Sequence, residues 1–184
     1  VGVATALAWT DSGGEIIFIE ATKMRGNNQL ILTGSLGSVM KESAQAALSY
    51  IRSNCRQYGI ADEFFEQHDI HIHVPAGAIP KDGTSAGMPI AVALISLVTN
   101  RCCRREAAMT GELTLTGRIL PVGGIKEKLL AAHRAGVRTV VLPGKNSVNL
   151  RDIPQDVHQA LKIITIDELD AAMDFVLHSP GQSA

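Results

Sequence analysis

Residues 89–98 place the strongest constraint on the fold, because this segment is apolar nearly all round. A helix of this composition is stable only when neighbouring elements bury it on every side. The rest of the chain must therefore supply a core, and 46% of its residues are apolar while only 4% are aromatic. We expect that core to consist mainly of Ala, Val, Ile and Leu. At 184 residues, the chain has the length of one ordinary domain.

Two periodicities alternate along the chain. Alternating apolar residues and turn residues predict strands at residues 1–8, 15–21, 29–33, 70–74, 138–142 and 163–166, with the first three as a meander. Residues 107–120 are predicted to form a strand, a turn and a second strand. Apolar residues three or four apart predict helices at residues 38–58 and 124–134 and after Asp167, the expected cap of the last helix. This irregular order favours a two-layer α/β domain.

Charge and cysteine content point away from several functional classes. Seventeen basic residues nearly balance eighteen acidic ones, so nothing indicates binding to nucleic acid or to a membrane surface. Cys55, Cys102 and Cys103 form no C-x-x-C pair, and reduced thiols in a cytosolic compartment are the simplest interpretation. No apolar run reaches the length of a membrane span, and no signal peptide is evident.

Ser85 is the first residue with chemical potential, because it stands where a loop at residues 75–83 meets the buried helix. A helix N-terminus favours developing negative charge, and the amides from Gly83 to Ser85 are candidates for an oxyanion site. The alternative is that Thr84 or Ser85 only caps the helix. Gly83-x-Ser85-x-Gly87 also matches a nucleophile elbow, but an elbow needs a strand running directly into the serine.

Lys128 is the second such residue. It lies at the edge of an apolar helical stripe, whereas Lys126 points away from that stripe. The stripe consists of Ile125, Leu129 and Ala132. Desolvation on such a face lowers the pKa of an amine, and a neutral amine beside a serine hydroxyl can act as its general base. The alternative is a solvated lysine whose aliphatic stem covers the core.

The two segments, together with blocks around them, resemble the proteolytic domain of Lon proteases, in the form typical of the A subfamily. The matching blocks are Pro80-Lys81-Asp82-Gly83-Thr84-Ser85-Ala86-Gly87, Met109-Thr110-Gly111-Glu112, Leu120-Pro121-Val122-Gly123-Gly124 and Lys126-Glu127-Lys128. Ser85 and Lys128 stand 43 positions apart (128 − 85), which suits the catalytic pair of that family. The resemblance extends from residue 1 to at least residue 166.

This resemblance implies a serine endopeptidase in which Ser85 and Lys128 are catalytic. It further implies that Thr110 orients the lysine and that Asp82 influences access and activation. The departures are Thr84 and Cys102-Cys103, where Pro and Pro-Val are common, and Pro89 within the serine helix. None of them removes a catalytic group, and a proline in the first helical turn costs little.

Membership would also imply properties beyond these residues. The fold would be that of ribosomal protein S5 domain 2. We expect residues 1–184 to be a single proteolytic domain, excised from a longer chain with N-terminal and ATPase regions. The whole protein would form hexameric rings in the cytoplasm (a bacterial cytosol or a mitochondrial matrix) and degrade unfolded, damaged or regulatory proteins. ATP and Mg²⁺ would serve the ATPase region, and we expect no cofactor, membrane or nucleic acid to bind this domain.

Two other functions compete with the peptidase. The first is a small-molecule kinase of the galactokinase-like group, whose phosphate would lie at the loop from Gly83 to Gly87. The second is an inactive interaction domain. The position of Lys128 argues against the first, and the presence of Ser85, Lys128 and Thr110 argues against the second. No G-x-x-x-x-G-K-[ST] motif occurs in the sequence, so ATP binding by this chain is not expected.

Three minor features receive structural interpretations. His71-x-His73 places two imidazoles on one strand face, but no third metal ligand stands nearby in sequence. Arg101, Arg104 and Arg105 are expected in a solvated loop. A disulfide between Cys102 and Cys103 would be strained, so two free thiols are expected.

Overall fold

The computed structural model describes residues 1–61, 63–75 and 80–181. Its strands are β1 (Val3–Thr10), β2 (Gly13–Arg25), β3 (Leu30–Thr33), β4 (His68–His73), β5 (Ala107–Met109), β6 (Glu112–Leu113), β7 (Ile119–Leu120), β8 (Thr139–Pro143) and β9 (Lys162–Ile166). Its α-helices are α1 (Ser38–Ser53), α2 (Gly87–Thr99), α3 (Ile125–Arg134), α4 (Gln155–Ala160) and α5 (Met173–Val176). The intervening 3₁₀-helices are Cys55–Tyr58, Thr84–Ala86, Gly144–Asp152 and Leu169–Ala172.

The main sheet has the strand order β3-β4-β2-β1-β5-β8-β9. Strands β1, β2 and β4 pair antiparallel, and the remaining neighbours pair parallel. The predicted meander is therefore wrong for its third strand, since β4 lies between β2 and β3. The reason is helix α1, which follows β3 and returns the chain for a parallel pairing with β4. A parallel pair needs a crossover of this kind.

Helix α2 is the centre of the larger core, as its composition predicts. Every residue from Gly87 to Ser96 is buried, between α1 and the face of the sheet formed by β1, β2 and β4. Pro89 is the third residue of α2, in the first turn, where a missing amide breaks no helical hydrogen bond. This helix places the segment that precedes it, which includes Ser85, at one end of the core.

A second apolar cluster occupies the opposite face of the sheet. There α3 and α4 pack on Leu7 of β1, on Ala108 of β5 and on the β8 residues Val140 and Leu142. The backbone of α3 approaches β2 so closely that a Cβ at Gly14 would lie against the Glu127 carbonyl. The predicted mixed α/β class is confirmed, with a sheet covered on one face throughout and on both faces near β5 and β8.

Several element boundaries differ from the sequence-based expectations. Residues 107–120 are not one hairpin, because β5 joins the main sheet while β6 and β7 form a separate two-stranded sheet. The helix expected at 38–58 ends at Ser53 and continues as a 3₁₀ turn up to Gly59, whose φ of 66° stops it. The 3₁₀-helix Gly144–Asp152 and α4 were not predicted, because these segments lack apolar periodicity.

Two further expectations concern the termini of elements. Asp167 was expected to cap the last helix, but the residue that precedes Leu169–Ala172 is Glu168, and no side chain caps that end. The loop expected at 75–83 falls partly on residues 76–79, which lie outside the described residues. None of the described helices combines the length and the apolar character that a bilayer crossing requires.

Candidate active site

Ser85 lies in the 3₁₀ turn Thr84–Ala86, immediately before α2. Gly83 precedes this turn and has a φ of 124°, a backbone conformation that residues other than glycine rarely adopt. The N-cap of α2 is Ala86, and no side chain caps α2 or the preceding turn. The alternative that Thr84 or Ser85 caps the helix is therefore wrong, and the half-buried Ser85 hydroxyl does not bond the amides of the first helical turn.

Lys128 is buried on α3, with only 2% of its surface exposed. Its Nζ donates a hydrogen bond to Thr110 Oγ1 at 3.0 Å, and Thr110 is itself 1% exposed. Burial disfavours the charged ammonium and lowers the pKa of Lys128 from 10.5 to about 8. The alternative of a solvated lysine is therefore wrong for Lys128, whereas Lys126 on the same helix is exposed, as expected.

A short backbone ladder joins the serine turn to the residues beside Lys128. The amide of Gly111 donates to the Ser85 carbonyl at 3.0 Å, and the amide of Met88 donates to the Gly111 carbonyl at 2.9 Å. Ser85 is thus fixed against the residue that follows Thr110. Its hydroxyl makes no hydrogen bond with any residue that the structure describes, and Lys128 bonds Thr110 in this arrangement.

Asp82 connects the serine turn to helix α1. Its Oδ1 accepts a hydrogen bond from the Met40 amide at 2.8 Å, in the first turn of α1, and another from the Gly83 amide at 2.9 Å. Gly83 was expected to offer its amide to an oxyanion, but here that amide points to Asp82. A Cβ at Gly37 would lie 2.3 Å from Asp82 Cγ, so the contact depends on a glycine that sequence reasoning missed.

A cleft of about 530 Å³ opens beside the serine. Its walls are residues 6–11 of the first strand and turn, three residues of β2, Met40, and the segment from Pro80 to Ala86 that includes Ser85. Trp9 at its mouth is 59% exposed. Lys81, another wall residue, donates from Nζ to the Gly34 carbonyl at 3.1 Å, and its partial burial lowers its pKa.

One edge of β1 is open along this cleft. Residues Val3–Thr10 all pair with β2, but on the other side, among the residues that the structure describes, only Ala6 pairs, with Met109 of β5. Beyond Ala6, the two strands diverge, and Thr110 and Gly111 turn towards Lys128 and Ser85. The sequence analysis did not predict this contribution of β1, because strand pairing between distant segments leaves no local pattern.

The remaining candidate groups lie outside this arrangement. Thr33 Oγ1 lies 2.8 Å from His71 Nε2 and 2.7 Å from His73 Nδ1, so these imidazoles share a hydroxyl of the neighbouring strand. Over residues 1–61, 63–75 and 80–181, no three His, Cys, Asp or Glu side chains are grouped so that they could bind a metal ion. Cys102 and Cys103 are free thiols.

The fold and this site define a class of protein by their chemistry. A buried amine with a pKa of about 8 is bonded to the buried Thr110 hydroxyl, and the backbone of the adjacent Gly111 is bonded to that of Ser85, a half-buried serine at a cleft. Such an arrangement suits enzymes in which a hydroxyl attacks a carbonyl and an amine removes its proton.

Comparison with known proteins then gives the family. The chain belongs to the Lon protease (S16) C-terminal proteolytic domain family, whose model matches residues 1–179. It is 57% identical to the Lon protease of Citrifermentans bemidjiense over 169 residues, which are 92% of this chain and 21% of that protein. It is 57% identical to the Lon protease of Aquifex aeolicus over 178 residues, 96% of this chain and 22% of that protein.

A third relative, the Lon protease of Roseiflexus castenholzii, is 54% identical over 183 residues, 100% of this chain and 23% of that protein. The chain thus spans less than a quarter of the length of the curated relatives that it matches. The resemblance predicted from the sequence blocks is confirmed.

Proposed function

We propose that this chain is a serine endopeptidase domain in which Ser85 is the nucleophile and Lys128 its general base. The main supporting observation is the environment of Lys128, buried and with its pKa lowered to about 8. At neutral pH an exposed lysine is almost entirely protonated, and only a desolvated amine is neutral often enough to accept a proton.

The reaction begins when Ser85 Oγ attacks the carbonyl carbon of a peptide bond and Lys128 Nζ accepts the hydroxyl proton. The lysine then delivers that proton to the departing amine, which leaves an acyl group on Ser85. Water then attacks the acyl carbon while the same amine takes its proton; the bond to Ser85 Oγ breaks, the proton returns to Oγ, and the acyl group leaves as a carboxylic acid. Thr110 Oγ1 keeps Nζ in place between these steps. Negative charge on the tetrahedral oxygen is favoured near the N-terminus of α2.

This mechanism requires Lys128 Nζ to approach Ser85 Oγ when substrate is bound. In the absence of substrate, hydrogen bonds between catalytic groups are often long or absent, and they shorten in the complex. The backbone ladder from Ser85 to Gly111 limits how far the serine and Thr110 can separate, because Thr110 and Gly111 are adjacent.

The open edge of β1 indicates how a peptide is bound. An extended segment can pair with residues 7–10 of β1, which within the described part of the chain have a strand partner on one side only. Backbone hydrogen bonds of this kind do not depend on the side chains of the substrate. They also require an extended peptide, so we propose that unfolded protein segments are the substrates.

The experiment that tests this function compares single substitutions with a matched control. Ser85→Ala and Lys128→Ala should each abolish cleavage of a fluorogenic peptide without unfolding the chain, and the double variant should be no worse than either single variant. Lys126→Ala is the control, because this lysine is on the same helix but exposed. If Lys126→Ala is inactive and Lys128→Ala active, the assignment of the base is wrong.

A covalent probe tests the nucleophile independently. A peptide boronate should form an adduct with Ser85, detectable by mass spectrometry of the digested chain, and Ser85→Ala should not be modified. Modification of a different serine or threonine would contradict the assignment.

A further proposal concerns the longer protein to which this chain would belong. We propose that the chain is the proteolytic part of a longer, cytoplasmic, ATP-dependent protease that forms hexamers and degrades unfolded, damaged or regulatory proteins. The names of the relatives and the share of their length that this chain spans support this. We expect the isolated chain to associate only weakly, and a tight hexamer at nanomolar concentration in sedimentation would contradict that expectation.

A further inference from the structure

Glu15 is a half-buried carboxylate in the wall of the cleft beside Ser85. In the part of the chain that the structure describes, it has no hydrogen-bond or ion-pair partner, and neither has the nearby carboxylate of Asp11. The other charged groups of the wall are occupied, since Asp82 accepts hydrogen bonds from two amides and Lys81 donates to a carbonyl. A substrate in the cleft would therefore meet unneutralised negative charge.

The strand register fixes where this charge lies relative to a bound peptide. Glu15 of β2 pairs directly with Ala8 of β1, so both side chains lie on the same face of the sheet. Ala8 belongs to the part of β1 whose other edge is open. A peptide that pairs with this edge places one residue beside Ala8, on the far side from Glu15.

Ala8 leaves the space between that residue and Glu15 open. Neighbouring strands are about 4.8 Å apart, so the substrate residue and Glu15 are separated by about 10 Å across the alanine methyl group. A lysine or arginine side chain is long enough to cross this distance and meet the carboxylate, whereas short polar side chains are not. The next pairs in the register offer no similar group, because Thr10 pairs with Gly13 and Ala6 pairs with Ile17.

We propose that Glu15 is a specificity-determining residue, which selects substrates with Lys or Arg at the position that pairs beside Ala8. The proposal deepens the peptidase function proposed above and rests on it. Cleavage then occurs preferentially at a fixed distance from a basic residue, and acidic residues at the same position are disfavoured.

A peptide series tests this directly. The fluorogenic peptides differ from one another at one position, which contains Arg, its neutral isostere citrulline, or Glu. This variable position is placed at each residue on either side of the scissile bond in turn. At one position, kcat/KM for Arg should exceed that for citrulline by about twofold to fivefold, the range of a partly exposed ion pair. Raising the ionic strength from about 0.05 to 0.5 M should reduce this ratio, because salt screens such a pair.

Substitutions assign the preference to one residue. Glu15→Gln should bring the ratio to about one at that position, and Glu15→Lys should favour the Glu peptide instead. Glu106→Gln is the matched control, because Glu106 is an exposed glutamate that precedes β5, outside the cleft wall. It should leave the preference of the wild-type chain unchanged.

The outcomes separate this inference from the peptidase proposal. If the wild-type chain cleaves every peptide at one rate and Ser85→Ala cleaves none, the inference is wrong and the peptidase proposal stands. If the wild-type chain cleaves no peptide, the peptidase proposal fails. In that case, fluorescence anisotropy measures the affinity of the Ser85→Ala chain for the same peptides. Equal affinities for the Arg and citrulline peptides would overturn the inference about Glu15.

Discussion

At the scale of single residues, the burial of Lys128 has a cost in stability as well as the role in catalysis that we propose. Lys128 is 2% exposed, so its ammonium group loses most of its hydration. Of the hydrogen bonds that it would donate to water, one is replaced by the bond to Thr110 Oγ1. The same loss of hydration lowers the pKa of Lys128 to about 8. The lowered pKa therefore affects the free energy of unfolding, which can be measured without any substrate.

Stability should therefore depend on pH through Lys128. Between pH 8 and 10.5 the unfolded chain keeps the proton that the folded chain has released, so the free energy of unfolding rises with pH in this window. The gain reaches about 3 kcal/mol, since each pKa unit corresponds to about 1.4 kcal/mol. The free energies of unfolding of the wild-type chain and the Lys128→Met variant are measured in urea. Their difference should change by this amount between pH 7.5 and 10.5.

Lys126→Met provides the control for this measurement. Lys126 is exposed on the same helix, so its replacement should give a difference from wild type that stays constant over this pH range. A constant difference for Lys128→Met as well would mean that Lys128 is solvated in the folded chain.

The pH dependence of catalysis should follow the same group. In the proposed mechanism the neutral amine is the active form of the base, so kcat/KM should rise with pH through an apparent pKa near 8. Replacing His71, His73 or His133 one at a time should leave this limb of the profile in place. A profile that rises near pH 6.5 and disappears with one histidine substitution would show that an imidazole is the base.

At the scale of elements, the sequence predicts what depends on neighbours along the chain. Buried helix α2, the helix of Lys128 and most strands follow from local periodicity and were predicted within a few residues. The pairing of β3 with β4, the separate sheet of β6 and β7, and helix α4 depend on distant contacts or on polar sequences without a period. For the same reason, local sequence singled out Ser85 and Lys128, whereas the contribution of strand β1 to the cleft and the positions of Glu15 and Gly37 were missed.

The contact between Asp82 and α1 shows how one element positions another. Helix α1 has no side-chain cap of its own at Gly37, and Asp82 accepts the hydrogen bond of the Met40 amide instead. Asp82→Ala should cost about 1 kcal/mol, as loss of an N-cap does. Asp82→Asn should cost less, because its amide oxygen still accepts a hydrogen bond. Urea unfolding measures both.

Gly37→Ala tests whether the close approach of the two segments is required. The backbone at Gly37 has ordinary extended dihedral angles, and the three atoms nearest to an added Cβ all belong to Asp82. The cost of Gly37→Ala should therefore be small in the Asp82→Ala background and larger in the wild-type background. Equal costs in both backgrounds would show that Gly37 acts independently of Asp82.

At the scale of the whole molecule, the chain contains a candidate peptide-cleaving site but no phosphate-binding lysine motif. Isothermal calorimetry should accordingly detect no nucleotide site on this chain. Any stimulation of proteolysis by ATP would then have to originate in another part of a longer protein. A stoichiometric site with micromolar affinity would instead favour the kinase alternative, with phosphate at the loop from Gly83 to Gly87.

The pairing of Ala6 with Met109 has a consequence for how the chain acquires activity during synthesis. This contact spans more than half of the chain, and loops of such length close late in folding. The cleft wall at β1 emerges first, the nucleophile follows, and the base at Lys128 emerges last. A nascent chain that ends before Lys128 therefore lacks one of these groups. In the peptidase that we propose, the site is thus incomplete until the strand, the serine and the lysine have all been synthesised.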